Sequence, residues 1–172
     1  MTFQDMMAAV QAVILFLGLG ATVYTLRFNR KDSMRRSTLD LIIHQRSDED
    51  LNKAMSKVND LISEKGVYED LSSYFQNRHS EEAQAILKVL NFREFVAVGI
   101  NLRVIDEDIY KRAYCSLVLR DWKNLENTVK GMRTEYKKDT LFQDFEMLAK
   151  QWADYPIKDL HKKSGVRRLF RL

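Results

Sequence analysis

Cysteine, proline, glycine and histidine are all scarce: one, one, six and three residues respectively in a chain of 172. A single cysteine, Cys115, excludes an internal disulfide. Its setting, Ala113-Tyr114-Cys115-Ser116-Leu117, reads as a helix interior in which the thiol packs as a small hydrophobe. Nothing asks for an oxidising compartment. With so little proline and glycine, a fold of many short strands and tight turns is excluded. His44, His79 and His161 are far apart, and no Cys or His pair has ligand spacing, so no metal site is expected. There is no phosphate-cradling loop ending in Lys-Ser or Lys-Thr and no Gly-x-Ser-x-Gly elbow. Asp48-Glu49-Asp50 lacks the longer ligand series of a calcium loop and reads as a helix start. No cofactor is predicted.

What is present is strongly segregated. Residues 27–36 carry Arg27, Arg30, Lys31, Arg35 and Arg36 against Asp32, a balance of +4. Residues 158–172 carry Lys158, Lys162, Lys163, Arg167, Arg168 and Arg171 against Asp159, a balance of +5. The rest has 17 basic and 22 acidic residues, a mildly acidic body between two basic segments. Nucleic-acid-binding domains more often carry cations on the folded body, so nucleic acid does not suit this pattern. A membrane surface does.

Met6 to Leu26 is a run of 21 residues without a charge. As a helix it spans about 31 Å, near the hydrocarbon thickness of a bilayer. Nine of its residues are Val, Ile, Leu or Phe, which together favour insertion by about 3–5 kcal/mol before the cost of Gln11. Asp5 precedes the run and five cations follow it, the reverse of the order in a cleaved signal peptide. By the positive-inside rule those cations stay in the cytoplasm. The expected topology is a single-pass inner-membrane protein with its N-terminus outside. Gly18 and Thr22 give small-xxx-small spacing, which permits helix pairing but is also common in membrane helices.

Beyond a basic juxtamembrane linker (27–37), helical periodicity predicts a cytoplasmic helical domain over 38–156. The first stripe is Leu39, Ile42, Ile43, Leu51, Met55, Val58, Leu61 and Ile62, with an interruption near Ser47–Asp48 and a stop at Gly66. Val67–Phe75 suits a short helix. Ser80 is an N-cap for a strongly apolar helix over 81–101, whose Lys88, Arg93 and Glu94 exclude a second span. Asp106 caps a helix over 107–133, and Thr140 is expected to cap another, ended by Pro156. The prediction is all-α: one transmembrane helix (6–26) followed by a bundle of four to five helices. The tail 157–172 mixes cations with Leu160, Val166, Leu169 and Phe170, as in a segment lying on an anionic leaflet, or as a solvated tail.

One position stands out. Glu94 follows Ala83, Leu87 and Leu90 along one helix face, so its carboxylate should be partly buried and needs a partner. Arg112, Arg120 and Arg133 on the following helix are the candidates. Asn91, Glu94 and Arg133 therefore form either an internal ion pair fixing helix register or a polar ligand site.

The stretch Leu90-Asn91-Phe92 with Glu94, then Ile105-Asp106-Glu107, Trp122, Arg133, Phe145-Glu146 and Trp152, resembles a bacterial and prophage family of unknown function. Its members are membrane-anchored proteins with a helical cytoplasmic domain and an Asn-Phe-x-Glu element. The resemblance covers residues 35–155 and implies the architecture above without supplying an activity. The leading expectation is a membrane-tethered interaction or regulatory module, more a binding protein than an enzyme. Its partners would be membrane lipid and a protein or second copy. The alternative is a small-ligand sensor or effector enzyme using a polar pocket around Glu94.

Overall fold

The computed structural model describes residues 3–66, 69–155 and 157, and the described residues are helical with no strand. Helix α1 (Phe3–Ser47) is a single helix of 45 residues, about 68 Å long. The segment expected as a linker, 27–37, is part of it. Arginine, lysine and methionine are good helix formers there, no glycine or proline interrupts, and Arg36 pairs with Asp32 one turn back at 2.9 Å. One stretch of α1 is long and apolar enough to cross a membrane, and none of that stretch is covered by the rest of the protein.

The break before α2 (Glu49–Lys65) falls at Asp48, whose side chain accepts from Leu51 N at 2.9 Å. Gly66 ends α2 at φ 112°, a conformation glycine adopts freely. A 3₁₀ turn follows at Ser72–Asn77, shorter and later than the helix expected over 67–75; Val67 and Tyr68 lie outside the described residues. Ser80 caps α3 (Glu81–Asn101) and Asp106 caps α4 (Glu107–Tyr136), each through its side chain onto the third residue beyond. The last helix is α5 (Gln143–Asp154). Pro156 and residues 158–172, with Lys162, Lys163, Arg167, Arg168 and Arg171, lie outside the described residues.

Helix α3 is the centre of the domain, packed by α2 on one side and α5 on the other, with α4 closing against α5 and against the end of α1. Ile86, Leu90, Leu125, Phe145, Leu148 and Trp152 form the dry interior. The C-terminal half of α1 belongs to this body: Thr38, Ile42 and Gln45 are buried. Thr38 Oγ1 accepts from Asp106 N at 2.7 Å, fixing α1 to the start of α4. Leu39 and Ile43, expected on the core stripe, are instead 51% and 65% exposed. The interruption expected near Ser47–Asp48 is where the chain restarts, and α1 and α2 bury independent faces on either side of it.

The turn between α3 and α4 is drawn tight. Val104 N and Ile105 N both donate to Gly99 O at 2.9 and 3.0 Å. The Ile105 side chain lies where a Cβ on Gly99 would be, so that position has no room for a side chain.

Candidate functional site

Two of the three residues singled out by sequence, Glu94 and Arg133, both reach the start of α5, in an arrangement different from the one expected. Helix α5 begins after Phe142, which sits in the left-handed region at φ 55° and has no side-chain oxygen to cap it. Thr140, the expected cap, lies in the preceding turn. The cap comes instead from α3. Glu94 Oε2 accepts from Phe145 N at 2.8 Å and Oε1 from Asp144 N at 3.3 Å. A carboxylate at a helix N-terminus satisfies orphan donors and complements the helix dipole.

Glu94 therefore makes no ion pair with Arg112, Arg120 or Arg133; among the described residues no cation lies within 4 Å of it. Burial raises its pKa, opposed by the hydrogen bonds from Phe145 and Asp144 and, at longer range, by Arg133. Arg133 holds the other side of the same helix start. Its Nε and Nη2 donate to Leu141 O at 2.9 and 2.7 Å, and Nη1 pairs with Glu146 at 2.6 Å. Lys150, one turn along α5, and Arg133 both hold Glu146 ionised, with the Lys150 hydrogen bond the stronger cause of its lowered pKa. Glu94 and Arg133 thus clamp α5 from two sides without touching. A helix of 12 residues is marginal alone, so this clamp and the burial of Phe145, Leu148 and Trp152 hold it in place.

Asn91 takes no part in the clamp. It is exposed and lines a groove of about 390 Å³ with Phe75, Leu87, Met132, Tyr136 and Phe142. The Tyr136 hydroxyl is buried with no hydrogen-bond partner among the described residues, and the Arg78 guanidinium stands 4.5 Å from the centre of its ring. Glu94 does not line this groove.

The buried charge that sequence reasoning missed is the neighbour of Glu94. Arg93 is 1% exposed. Its Nε and Nη2 donate to Asp121 Oδ2 at 2.9 and 2.6 Å, and Nη1 reaches Tyr110 Oη at 3.4 Å. Tyr110 in turn donates to Gln45 Oε1 at 2.8 Å. This network joins α1, α3 and α4, and burial pushes the Tyr110 hydroxyl pKa well up, so it stays a donor. The available signal was Asp121, an acid one step before the apolar Trp122 on the α4 stripe.

Of the cations in residues 27–36, Arg35 reaches Asp106 at 3.8 Å and Arg36 pairs with Asp32. Arg27, Arg30 and Lys31 pair with no carboxylate of the described residues. They line one wall of a cleft of about 630 Å³ beside the α3–α4 turn. Among the described residues no group of three His, Cys, Asp or Glu side chains is placed to hold a metal ion.

A family described as a domain of unknown function (DUF4760) matches residues 12–152. The chain belongs to that family. The family match takes in most of the apolar run as well as the helical domain, ending at Trp152 in α5. No curated protein and no solved structure matches the chain.

Proposed function

We propose that this DUF4760 protein is a single-pass inner-membrane protein whose cytoplasmic helical domain is an interaction module, paired with a second copy through α1. The observation that carries the reading is the continuity of α1. One unbroken helix leads from an uncovered apolar run into the domain core at Thr38, Ile42 and Gln45. Water does not favour a run of 21 uncharged and mostly apolar residues whose described side chains are bare; a bilayer does. The unpaired cations immediately after the run favour the cytoplasmic side for the domain.

Leu39 and Ile43 support the pairing. They are large apolar side chains left bare on the soluble half of α1, on a face turned away from the domain. Stepping back from them by alternate threes and fours leads through Arg36, Asp32 and Asn29 to Thr25, Thr22 and Gly18. That spacing is the seam of two parallel helices, with small residues where helices meet in lipid.

Two measurements test this. A cysteine at Gln4 should react with an impermeant reagent on intact cells, and one at Met147 only after lysis; the opposite pattern overturns the topology. On a Cys115→Ala background, Ile43→Cys should form disulfide-linked dimers in membranes while exposed Ser37→Cys does not. Monomers with both Leu39→Cys and Ile43→Cys would remove the pairing.

A second reading, a small-ligand sensor, is favoured by one observation: Tyr136, which lines the groove beside Asn91, has a buried hydroxyl without a partner among the described residues. A buried polar atom without a partner calls for a ligand or water. Its centre is Asn91 and Tyr136, because Glu94 is engaged on α5.

A further inference from the structure

Across the cleft from Arg27, Arg30 and Lys31 stands Arg103, at the tip of the α3–α4 turn. Arg103 is a non-glycine residue held at φ 56°, a left-handed conformation that favours glycine. Its two neighbours, Leu102 and Val104, are 66% and 57% exposed. A turn this tightly fixed could keep its apolar residues inward; here Ile105 is buried and the pair flanking the arginine points out. Polar residues serve an aqueous turn better, so two bare aliphatic side chains around a bare cation call for a surface that is both oily and anionic.

The position of the turn supplies that surface. Asp106 N is bonded to Thr38, so the turn is fixed along α1 and reaches the level of Arg27 to Met34. Those residues follow Leu26, the end of the uncharged run, and cover about 12 Å of helix, enough to pass through the headgroup layer. The carboxylates on the α4 side of the cleft are largely engaged. Asp106 caps α4 and meets Arg35, Glu107 accepts from Trp152 Nε1 at 2.9 Å, and Asp108 has no such contact among the described residues. Arg27, Arg30, Lys31 and Arg103 have no carboxylate partner among the described residues, and all four line the cleft.

We infer that the α3–α4 turn is a second membrane contact. Leu102 and Val104 enter the interface, and Arg103, Arg27, Arg30 and Lys31 hold the phosphate of an anionic phospholipid in the cleft between them. The inference rests on the proposed span of α1 and adds a contact that the span alone does not require. The domain then meets the leaflet at a fixed side, and lipid charge governs how firmly it is seated.

The test uses the full chain on a Cys115→Ala background in nanodiscs, with a nitroxide at Leu102→Cys. In discs containing phosphatidylglycerol the label should be shielded from a water-soluble relaxant and reached by oxygen. In phosphatidylcholine discs it should move toward water. Arg103→Gly, which suits the backbone at that φ, and Lys31→Gln should each shift the seated-to-free ratio about fivefold toward water in the anionic discs. A Leu102 label as open to water in anionic discs as one at exposed Met147 overturns the inference. A label at Leu15→Cys separates the two readings: if it too is in water, the span itself fails; if it is in lipid, only the second contact does. Inorganic phosphate added to phosphatidylcholine discs should leave the Leu102 label unchanged, and shielding by phosphate alone would overturn the lipid assignment.

Discussion

Arg93 gives two hydrogen bonds, at 2.9 and 2.6 Å, to a single oxygen of Asp121, while the other oxygen faces Arg120 at 3.1 Å. The pair ties α3 to α4 inside the domain, and through Tyr110 and Gln45 it reaches α1. Removing one partner strands the other charge in a dry interior. Asp121→Ala should therefore lower stability by about 3–5 kcal/mol. The double variant Arg93→Met with Asp121→Leu should recover most of that loss, because it leaves no charge uncompensated. Chemical denaturation of the full chain in mild detergent measures both. A double variant as unstable as Asp121→Ala would show that the network contributes more than paired charge.

Glu94 is the cap of a helix on another segment. Glu94→Ala leaves Phe145 N and Asp144 N without their acceptors and should cost about 1–2 kcal/mol, the range for losing an N-cap. Glu94→Gln keeps one acceptor oxygen and should cost less. Hydrogen exchange at the first turn of α5 reads the effect directly: protection there should fall while α2 is unchanged. Unaltered exchange in Glu94→Ala would refute the capping role.

The two carboxylates at α5 should respond to pH with opposite signs. Burial raises the pKa of Glu94 above its ordinary 4.5, so the fold holds that proton more tightly than the unfolded chain does. Stability from Glu94 is then lost as pH rises from 4.5 to its raised value, and is flat above it. Lys150 and Arg133 lower the pKa of Glu146, so its contribution is present above 4.5 and lost as pH falls through the lowered value. Comparing the pH profiles of Glu94→Gln and Glu146→Gln separates them. The first variant should remove a decline just above pH 4.5, the second a decline below it. Profiles that change in the same direction would contradict this assignment.

Gly131 lies where α4 passes the turn entering the 3₁₀ segment. A Cβ there would stand 2.6 Å from Ser72 Oγ and 2.7 Å from Asp70 Oδ2, two atoms already bonded to each other. Gly131→Ala gains helix propensity but must push that turn away, and overpacking of this kind costs about 1–3 kcal/mol. The net should be a loss in thermal stability, relieved when Ser72→Gly is added, because the Ser72 Cβ also stands within 2.8 Å of the new methyl. A stabilised Gly131→Ala would mean the turn yields freely.

Much of the fold was legible because its signals are local. Ser80, Asp48 and Asp106 announce helix starts by side chains that reach three residues ahead, and Gly66 announces a stop. The stripes of α3, α4 and α5 fall at helical spacing. What was not legible depends on distant segments. Thr140 looked like a cap because it is a threonine before an apolar run, yet the acceptor for α5 comes from Glu94, about fifty residues earlier. Leu39 and Ile43 fit a core stripe by spacing and are exposed, since only three-dimensional packing decides which face of α1 meets α4. At the candidate site, sequence identified a charge on the α3 stripe and chose Glu94; packing buries Arg93 more deeply. Arg103 carried no sequence signal, because its interest lies in a backbone angle and in what stands across the cleft.

The absence of any break in α1 between Phe3 and Ser47 has a mechanical consequence. A helix whose apolar stretch exceeds the local bilayer thickness relieves the mismatch by tilting. With a flexible joint, that tilt would stop at the membrane surface. On the proposed span, α1 instead acts as a stiff lever, and the domain leans by the same angle. Leaning toward the α3–α4 turn presses Leu102 and Val104 down, and leaning the other way lifts them clear. The thickness of the bilayer is thereby converted into the attitude of the domain above it.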